Sequence, residues 1–253
     1  MTALDGRHAL VTGGGRGIGR AIAAALSGAG AKVTVMGRQE APLKDAVGKG
    51  EATGYFIADV TDARAMADGI TRAAGERGAF DILVANAGGA ESAPFAKADA
   101  AQFQRMFDLN VMSVVHSARA VLGGMTKQGF GRIVAVASTA GLKGYAYVPA
   151  YCAAKHAVVG LVRSLAIETA NSGITVNAVC PGYTDTDLLR ASADAVAKKT
   201  GRTREQAIAE FTKDAPLGRL IRPEEVAAAV LYLCSPDAAA VTGTTLTIAG
   251  GEI

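Results

Sequence analysis

The 253-residue chain has no run of basic residues and no interleaving of basic with aromatic side chains. Its net charge is only +3 and scattered, which excludes an extended nucleic-acid face. It lacks an uninterrupted apolar stretch of the roughly 18 residues that spanning a bilayer takes, so no membrane partner is expected. The opening MTALDGRHALVTGGG shows no basic segment followed by an apolar one, so no export leader is expected and the reading is cytoplasmic. Cysteine is scarce. Cys152, Cys180 and Cys234 are odd in number, far apart and without CxxC or metal-ligand spacing. They read as reduced, buried small hydrophobes. His8, His116 and His156 stand in no metal spacing either, so no metal is expected. No linker, repeat or low-complexity segment divides the chain, which predicts one domain over residues 1–253.

What is present is a large apolar fraction. Half of the residues are hydrophobic and 19% are charged, enough for a sizeable core. Apolar, β-branched runs predict strands over 8–12, 32–36, 54–58, 81–85, 132–138, 174–180 and 244–248. Helical patterns fall between them, over 18–29, 63–77, 101–127, 150–171 and 222–234. The strands are almost continuously apolar, as parallel strands buried on both faces should be. Strand, helix, strand at this spacing predicts an α/β fold, a doubly wound parallel sheet with helices on both faces. Residues 184–216 break the rhythm with about two helices' worth of chain and no strand. They follow a strand's carboxyl end, where such sheets bind ligands, so a substrate lid is expected there.

After the first strand comes TGGGRGIG, residues 12–19. Glycine permits close backbone approach to a ligand, and the next helix points its N-terminus at the loop, where free N–H groups and the macrodipole favour phosphate. The G-x-G-x-x-G fingerprint fails in every register, and the Walker pattern fails because Arg20 and Ala21 follow Gly19. The pattern that fits is T-G-x-x-x-G-x-G, with Gly13, Gly17 and Gly19. In dinucleotide folds an acidic residue near the end of the second strand holds the ribose 2′-hydroxyl, and a nearby arginine accommodates a 2′-phosphate. Here that position is Gly37, followed by Arg38, with Arg16 inside the loop. Charge complementarity points to NADP(H), with NAD(H) as the alternative. The bland reading makes both arginines solvated surface residues.

A second motif is YCAAK, residues 151–155. Of the six tyrosines, only Tyr151 has a lysine four residues on. Positions i and i+4 share a helix face, so Tyr151 and Lys155 can face one cleft. A phenol has an ordinary pKa near 10, and a neighbouring ammonium is expected to lower it. That would make Tyr151 an acid in reduction and a base in oxidation. Ser138 closes a strand, where its hydroxyl can meet developing negative charge on a carbonyl oxygen.

Together these motifs resemble the short-chain dehydrogenases/reductases. The resemblance runs over essentially the whole chain and rests on TGGGRGIG, Asp59-Val60, ANAG at 85–88, Leu109-Asn110, Ser138, YCAAK and PGYTDT at 181–186. It implies a Rossmann-like domain of about seven strands, counted from the runs above. It implies a catalytic tetrad of Asn110, Ser138, Tyr151 and Lys155, with Lys155 also on the nicotinamide ribose. Asn110 would hold a helix kink and a water feeding protons to Lys155. Asp59 would contact the adenine, Asn86 its ribose, and Thr186 the nicotinamide carboxamide. Ile18, Val60, Gly88, Pro181, Gly182 and Thr184 complete the implied cofactor contacts. Ala85 departs from a frequent asparagine, a sheet-stabilising residue in the family.

The stretches STAG, KHAVVG and NAVCPG resemble those of 3-oxoacyl-thioester reductases, which implies a small-molecule substrate carried on CoA or acyl carrier protein. The segment KKTGRTREQAIAEF is also similar to NAD-dependent 3-hydroxybutyrate dehydrogenases. Under the thioester reading Lys198, Lys199, Arg202 and Arg204 would meet a phosphopantetheine or CoA phosphate, or equally form a solvated basic helix face. A non-catalytic dinucleotide-binding sensor is the alternative from another class; it would not need Tyr151 together with Ser138. The resemblance further implies a homo-oligomer, a tetramer or dimer, through the helices at 101–127 and 150–171.

Overall fold

The computed structural model describes residues 3–253, apart from the side chains of residues 195 and 199. One seven-stranded sheet, all of whose strand pairs are parallel, organises the chain in the order β3-β2-β1-β4-β5-β6-β7. The strands are β1 (His8–Thr12), β2 (Lys32–Gly37), β3 (Gly54–Ile57), β4 (Ile82–Ala85), β5 (Gly131–Val136), β6 (Ile174–Pro181) and β7 (Thr245–Ile248). The register pairs Leu10 with Thr34 on one side and Leu83 on the other, so β1 is an interior strand. Strand order reverses between β1 and β4, which opens a crevice at their carboxyl ends.

Two cores flank the sheet. Leu10, Leu83, Ile133 and Val176 pack on one face; Ala9, Val11, Ile82 and Val134 pack on the other. Alternate residues of each strand thus enter different cores, which is why the strand sequences are apolar throughout. Helices α1 (Gly17–Gly28) and α9 (Pro223–Cys234) pack together over the second core. Helices α3 (Ala63–Arg77), α5 (Ser113–Gln128) and α6 (Pro149–Thr169) cover the first. Asp62 caps α3 by accepting from the N–H groups of Arg64 and Ala65.

Three features depart from the sequence expectations. A helix α2 (Glu40–Gly48) follows β2. Its nine residues bury only Leu43 and Ala46, and Pro42 interrupts the pattern by which a helix is read. The long helix expected over 101–127 is split into α4 (Ala100–Phe107) and α5 by a π-turn, Asp108–Met112. Finally, the 24 residues Pro149–Ser172 are long and apolar enough to cross a bilayer by length and composition alone. In the fold this is a core helix: α6 packs against β6 and α4 and buries Lys155.

Residues 184–216 carry α7 (Asp187–Thr200) and α8 (Arg204–Thr212), which pack on each other beyond the end of β6. A single parallel bridge, Thr184 to Ile221, closes the base of the insertion.

Candidate active site

The crevice is floored by the glycine loop between β1 and α1. Arg16 is the N-cap of α1 but gives no side-chain cap, which leaves the first N–H groups of the helix to face the crevice. Gly17 has φ +51°, a left-handed conformation that disfavours other residues. Gly19 is required by contact: a methyl group there would fall 2.4 Å from the Gly13 carbonyl oxygen. This close loop-to-helix packing makes a backbone cradle that fits a pyrophosphate. Ile18 is half-buried against the second core.

The loop is held from beneath by residues after β4. Thr12 Oγ1 accepts from the N–H groups of Asn86 and Ala87, both at 3.0 Å. The Asn86 amide donates to Thr12 O at 2.9 Å and Gly13 O at 3.4 Å. Asn86 therefore supports the loop, a role beyond the ribose contact that the resemblance implies for it. Thr12 was not singled out, although its place at the strand end, just before the glycines, is the signal that could have found it.

At the outer end of β2, Gly37 is followed by Arg38, whose side chain is 77% exposed. Arg38 lies 3.9 Å from Asp59, which also accepts from Thr61. The Thr61 N–H holds the Asp59 carboxyl below its ordinary range. Val60 is buried in the first core. Arg16 is exposed on the same crevice edge. At the other end, Pro181 closes β6, and Gly182 N donates to Ile248 O. Thr184 is buried, with its hydroxyl on Gly182 O. Thr186 caps α7 and meets the glycine loop: a methyl on Gly17 would fall 3.2 Å from Thr186 Cγ2.

The four tetrad residues converge. The π-turn brings the Asn110 side chain inward, where its amide nitrogen donates to Gly89 O (2.9 Å) and Met106 O (3.0 Å). Asn110 thus ties the π-turn to the irregular segment that follows β4. Gly88 lies over both Asn110 and Lys155: a methyl there would stand 2.7 Å from Asn110 Oδ1 and 3.5 Å from Lys155 Nζ. Ser138, just past β5, accepts from Ala140 N (3.1 Å) and hydrogen-bonds to the Tyr151 phenol. Lys155 Nζ lies 5.7 Å from the centroid of the Tyr151 ring.

The electrostatics differ from the expectation. Burial pushes the Tyr151 phenol up to about 12, only partly opposed by the Ser138 hydrogen bond. The ammonium does not lower it. Lys155 is itself buried, its pKa pushed down to about 8, and it donates to Val136 O at 2.8 Å. Its proton is directed at a backbone carbonyl rather than at the phenol. Tyr151 is accordingly a protonated acid in the protein on its own, its ring half-buried against the first core.

On the substrate side, Arg204 pairs with Asp194 and Arg202 with Glu210. Both are engaged within the insertion, Arg204 across to α7 and Arg202 from the turn between the helices to α8, which favours the solvated-face reading of that segment. Lys198 is exposed, and the side chain of Lys199 lies outside the described residues.

Residues 7–197 match the short chain dehydrogenase family model. The chain is 40% identical over 246 residues to acetoacetyl-CoA reductase of Rhizobium meliloti, covering 97% of this chain and 98% of that one. It is 38% identical over 255 residues to D-beta-hydroxybutyrate dehydrogenase of Cupriavidus necator, covering 99% of each. Among solved structures, an actinorhodin polyketide ketoreductase with NADPH superposes with a TM-score of 0.93 at 35% identity, covering 100% of this chain and 99% of that one. The cradle, the tetrad and these similarities agree: the chain belongs to the short-chain dehydrogenase/reductase family, oxidoreductases that use a nicotinamide dinucleotide and interconvert ketones and secondary alcohols.

Proposed function

We propose that the protein is an NADPH-dependent reductase of a 3-oxoacyl thioester. The observation that carries the reading is the meeting of the Tyr151 phenol with the Ser138 hydroxyl, with Lys155 close to the same ring. A protonated acid is what ketone reduction needs. When bound, the nicotinamide supplies the hydride; the chain supplies position, electrostatics and the proton. Ser138 and Tyr151 hydrogen-bond the substrate carbonyl oxygen and stabilise the charge that gathers there. The Tyr151 hydroxyl then gives its proton to that oxygen. Lys155, buried close to the phenol ring with its pKa pushed down to about 8, holds a proton behind Tyr151, and Asn110 fixes the backbone around it.

The residues on the first half of the crevice support the cofactor reading. Arg38 and Arg16 offer positive charge where a 2′-phosphate would lie, and Gly37 leaves no carboxylate to oppose it. Gly13, Gly17, Ile18 and Gly19 would hold the pyrophosphate; Asp59, Val60, Asn86 and Gly88 the adenosine side; Pro181, Gly182, Thr184, Thr186, Tyr151 and Lys155 the nicotinamide side. A methyl on Gly37 would touch only Leu43, at 3.6 Å, so a side chain fits there. Gly37→Asp is therefore expected to shift the NADPH-to-NADH ratio of kcat/KM toward NADH by about 100-fold, through phosphate repulsion and new ribose hydrogen bonds. Unchanged preference in a folded variant would place the 2′-phosphate elsewhere.

The relatives named above share a 3-oxo or 3-hydroxyacyl group. The test is a panel of acetoacetyl-CoA, acetoacetate and 3-hydroxybutyrate, each with both cofactors. The proposal predicts acetoacetyl-CoA with NADPH as the best pair. A preference for 3-hydroxybutyrate with NAD would instead select the second reading, that of a small 3-hydroxy-acid dehydrogenase. Saturable cofactor binding without turnover of any substrate would select a sensor. We further infer that residues 184–216 act as the substrate lid. The exposed apolar groove of Phe95, Phe103, Phe107, Ala150 and Ala153 is assigned to a second copy of the chain, which the molar mass in solution reads directly.

A further inference from the structure

The penultimate residue, Glu252, carries an almost wholly buried carboxylate, 5% exposed. Its Oε1 accepts a hydrogen bond from the Tyr145 phenol and lies 3.0 Å from Lys143 Nζ. Its other oxygen lies over Gly182, where a methyl group would fall 3.0 Å away. The Tyr145 phenol is also hydrogen-bonded to Thr139 Oγ1 at 2.7 Å, one residue past Ser138. Tyr145 sets its edge against Tyr183, and Tyr183 stacks on Phe211 of α8. Burial, and then the charge of Glu252, push the Tyr183 phenol up. Tyr183 acts in turn on Tyr151. The carboxylate is thus built into the wall that faces the Ser138–Tyr151 pair, where the segment after Ser138, the segment after β6 and the C-terminal tail meet.

Lys143 and Tyr145 are a cation and a phenol donor within seven residues of Ser138. They are the type of pair that grips a substrate carboxylate. In this fold both are held by the protein's own carboxylate. An anionic substrate end reaching this wall meets a neutralised ammonium, an occupied phenol and a fixed negative charge. A neutral acyl end meets none of these penalties.

We propose that Glu252 is a specificity-determining residue: by occupying Lys143 and Tyr145 it turns the site away from 3-oxo acids bearing a free carboxylate and toward those masked as thioester or ester. This rests on the 3-oxoacyl reading above, and it needs only the charge of the acyl end, not CoA.

The test compares acetoacetate with ethyl acetoacetate, the same acyl group with and without its charge. Binding of each to the NADP⁺-saturated protein is measured by calorimetry, so no turnover is needed. Glu252→Gln is expected to lower the ratio of the two dissociation constants, acid over ester, by about tenfold, since it leaves Lys143 unpaired. Adding Lys143→Met should return the ratio to near its wild-type value. A tail that merely anchors the fold would weaken both ligands alike and leave the ratio unmoved. That outcome, or no measurable acid binding in Glu252→Gln, overturns the proposal. If the ratio moves while wild-type protein fails to reduce acetoacetyl-CoA, the thioester reading falls and the role of Glu252 stands.

Discussion

Tyr151→Phe is expected to lower kcat/KM for ketone reduction by about 1,000-fold or more, because it removes the hydroxyl proposed to deliver the proton while leaving the ring that packs beside Lys155. NADPH affinity should change by no more than a few-fold, since the glycine cradle and the Arg38 edge are untouched. Stopped-flow reduction and fluorescence titration read the two quantities separately. Near-normal turnover in the variant would remove Tyr151 from the mechanism. The wild-type pH profile carries a second signature. With its phenol pushed up to about 12, Tyr151 has almost no base form at neutral pH. Alcohol oxidation needs that base form and should climb steadily from pH 7 to about 10, whereas reduction, which needs the acid form, should show no such climb. An oxidation rate already flat at pH 7 would mean that the phenol titrates low.

That reversal of the Tyr151 expectation shows where sequence reasoning ends. Spacing places a tyrosine and a lysine on one helix face, and they are there. Spacing does not report how deeply α6 is buried, nor that Lys155 points at Val136 O. Burial outweighs a cation whose proton is directed elsewhere. The sheet was legible because strands buried on both faces are written as unbroken apolar runs, and its switch point follows from which strands precede the glycine loop and ANAG. Helix α2 was not, since Pro42 and two buried residues leave no period to read. The π-turn leaves no local pattern, because a one-residue change of helical pitch alters no residue type; only the kink that the resemblance implies at Asn110 pointed to it. The structural roles of Asn86 and Glu252 lie beyond local pattern for a third reason. Their roles depend on partners 74 and 107 residues away, Thr12 and Tyr145, and no local pattern encodes such a pairing.

Lys155→Met is expected to yield a protein that is inactive and more stable. In the folded chain the ammonium has lost water, and burial pushes its pKa down from 10.5 to about 8. A base depressed in the native state binds protons more weakly there than when unfolded. The fold therefore bears the full cost below about pH 8, and stability rises as pH climbs from about 8 toward 10.5. That cost is on the order of 3 kcal/mol. The hydrogen bond to Val136 O offsets about 1 kcal/mol, which leaves roughly 2 kcal/mol for an isosteric methionine to recover. For a chain of this size that corresponds to a melting temperature about 4–8 °C higher at pH 7. The gap should narrow as both proteins are melted at increasing pH up to about 10, because the wild-type penalty fades with deprotonation. Turnover should fall at least about 100-fold, since the variant can neither hold a proton beneath Tyr151 nor reach the cofactor ribose. A variant that melts lower than wild type at pH 7 would show that Lys155 contributes to packing rather than costing stability. Retained activity would show that the proton behind Tyr151 comes from another group.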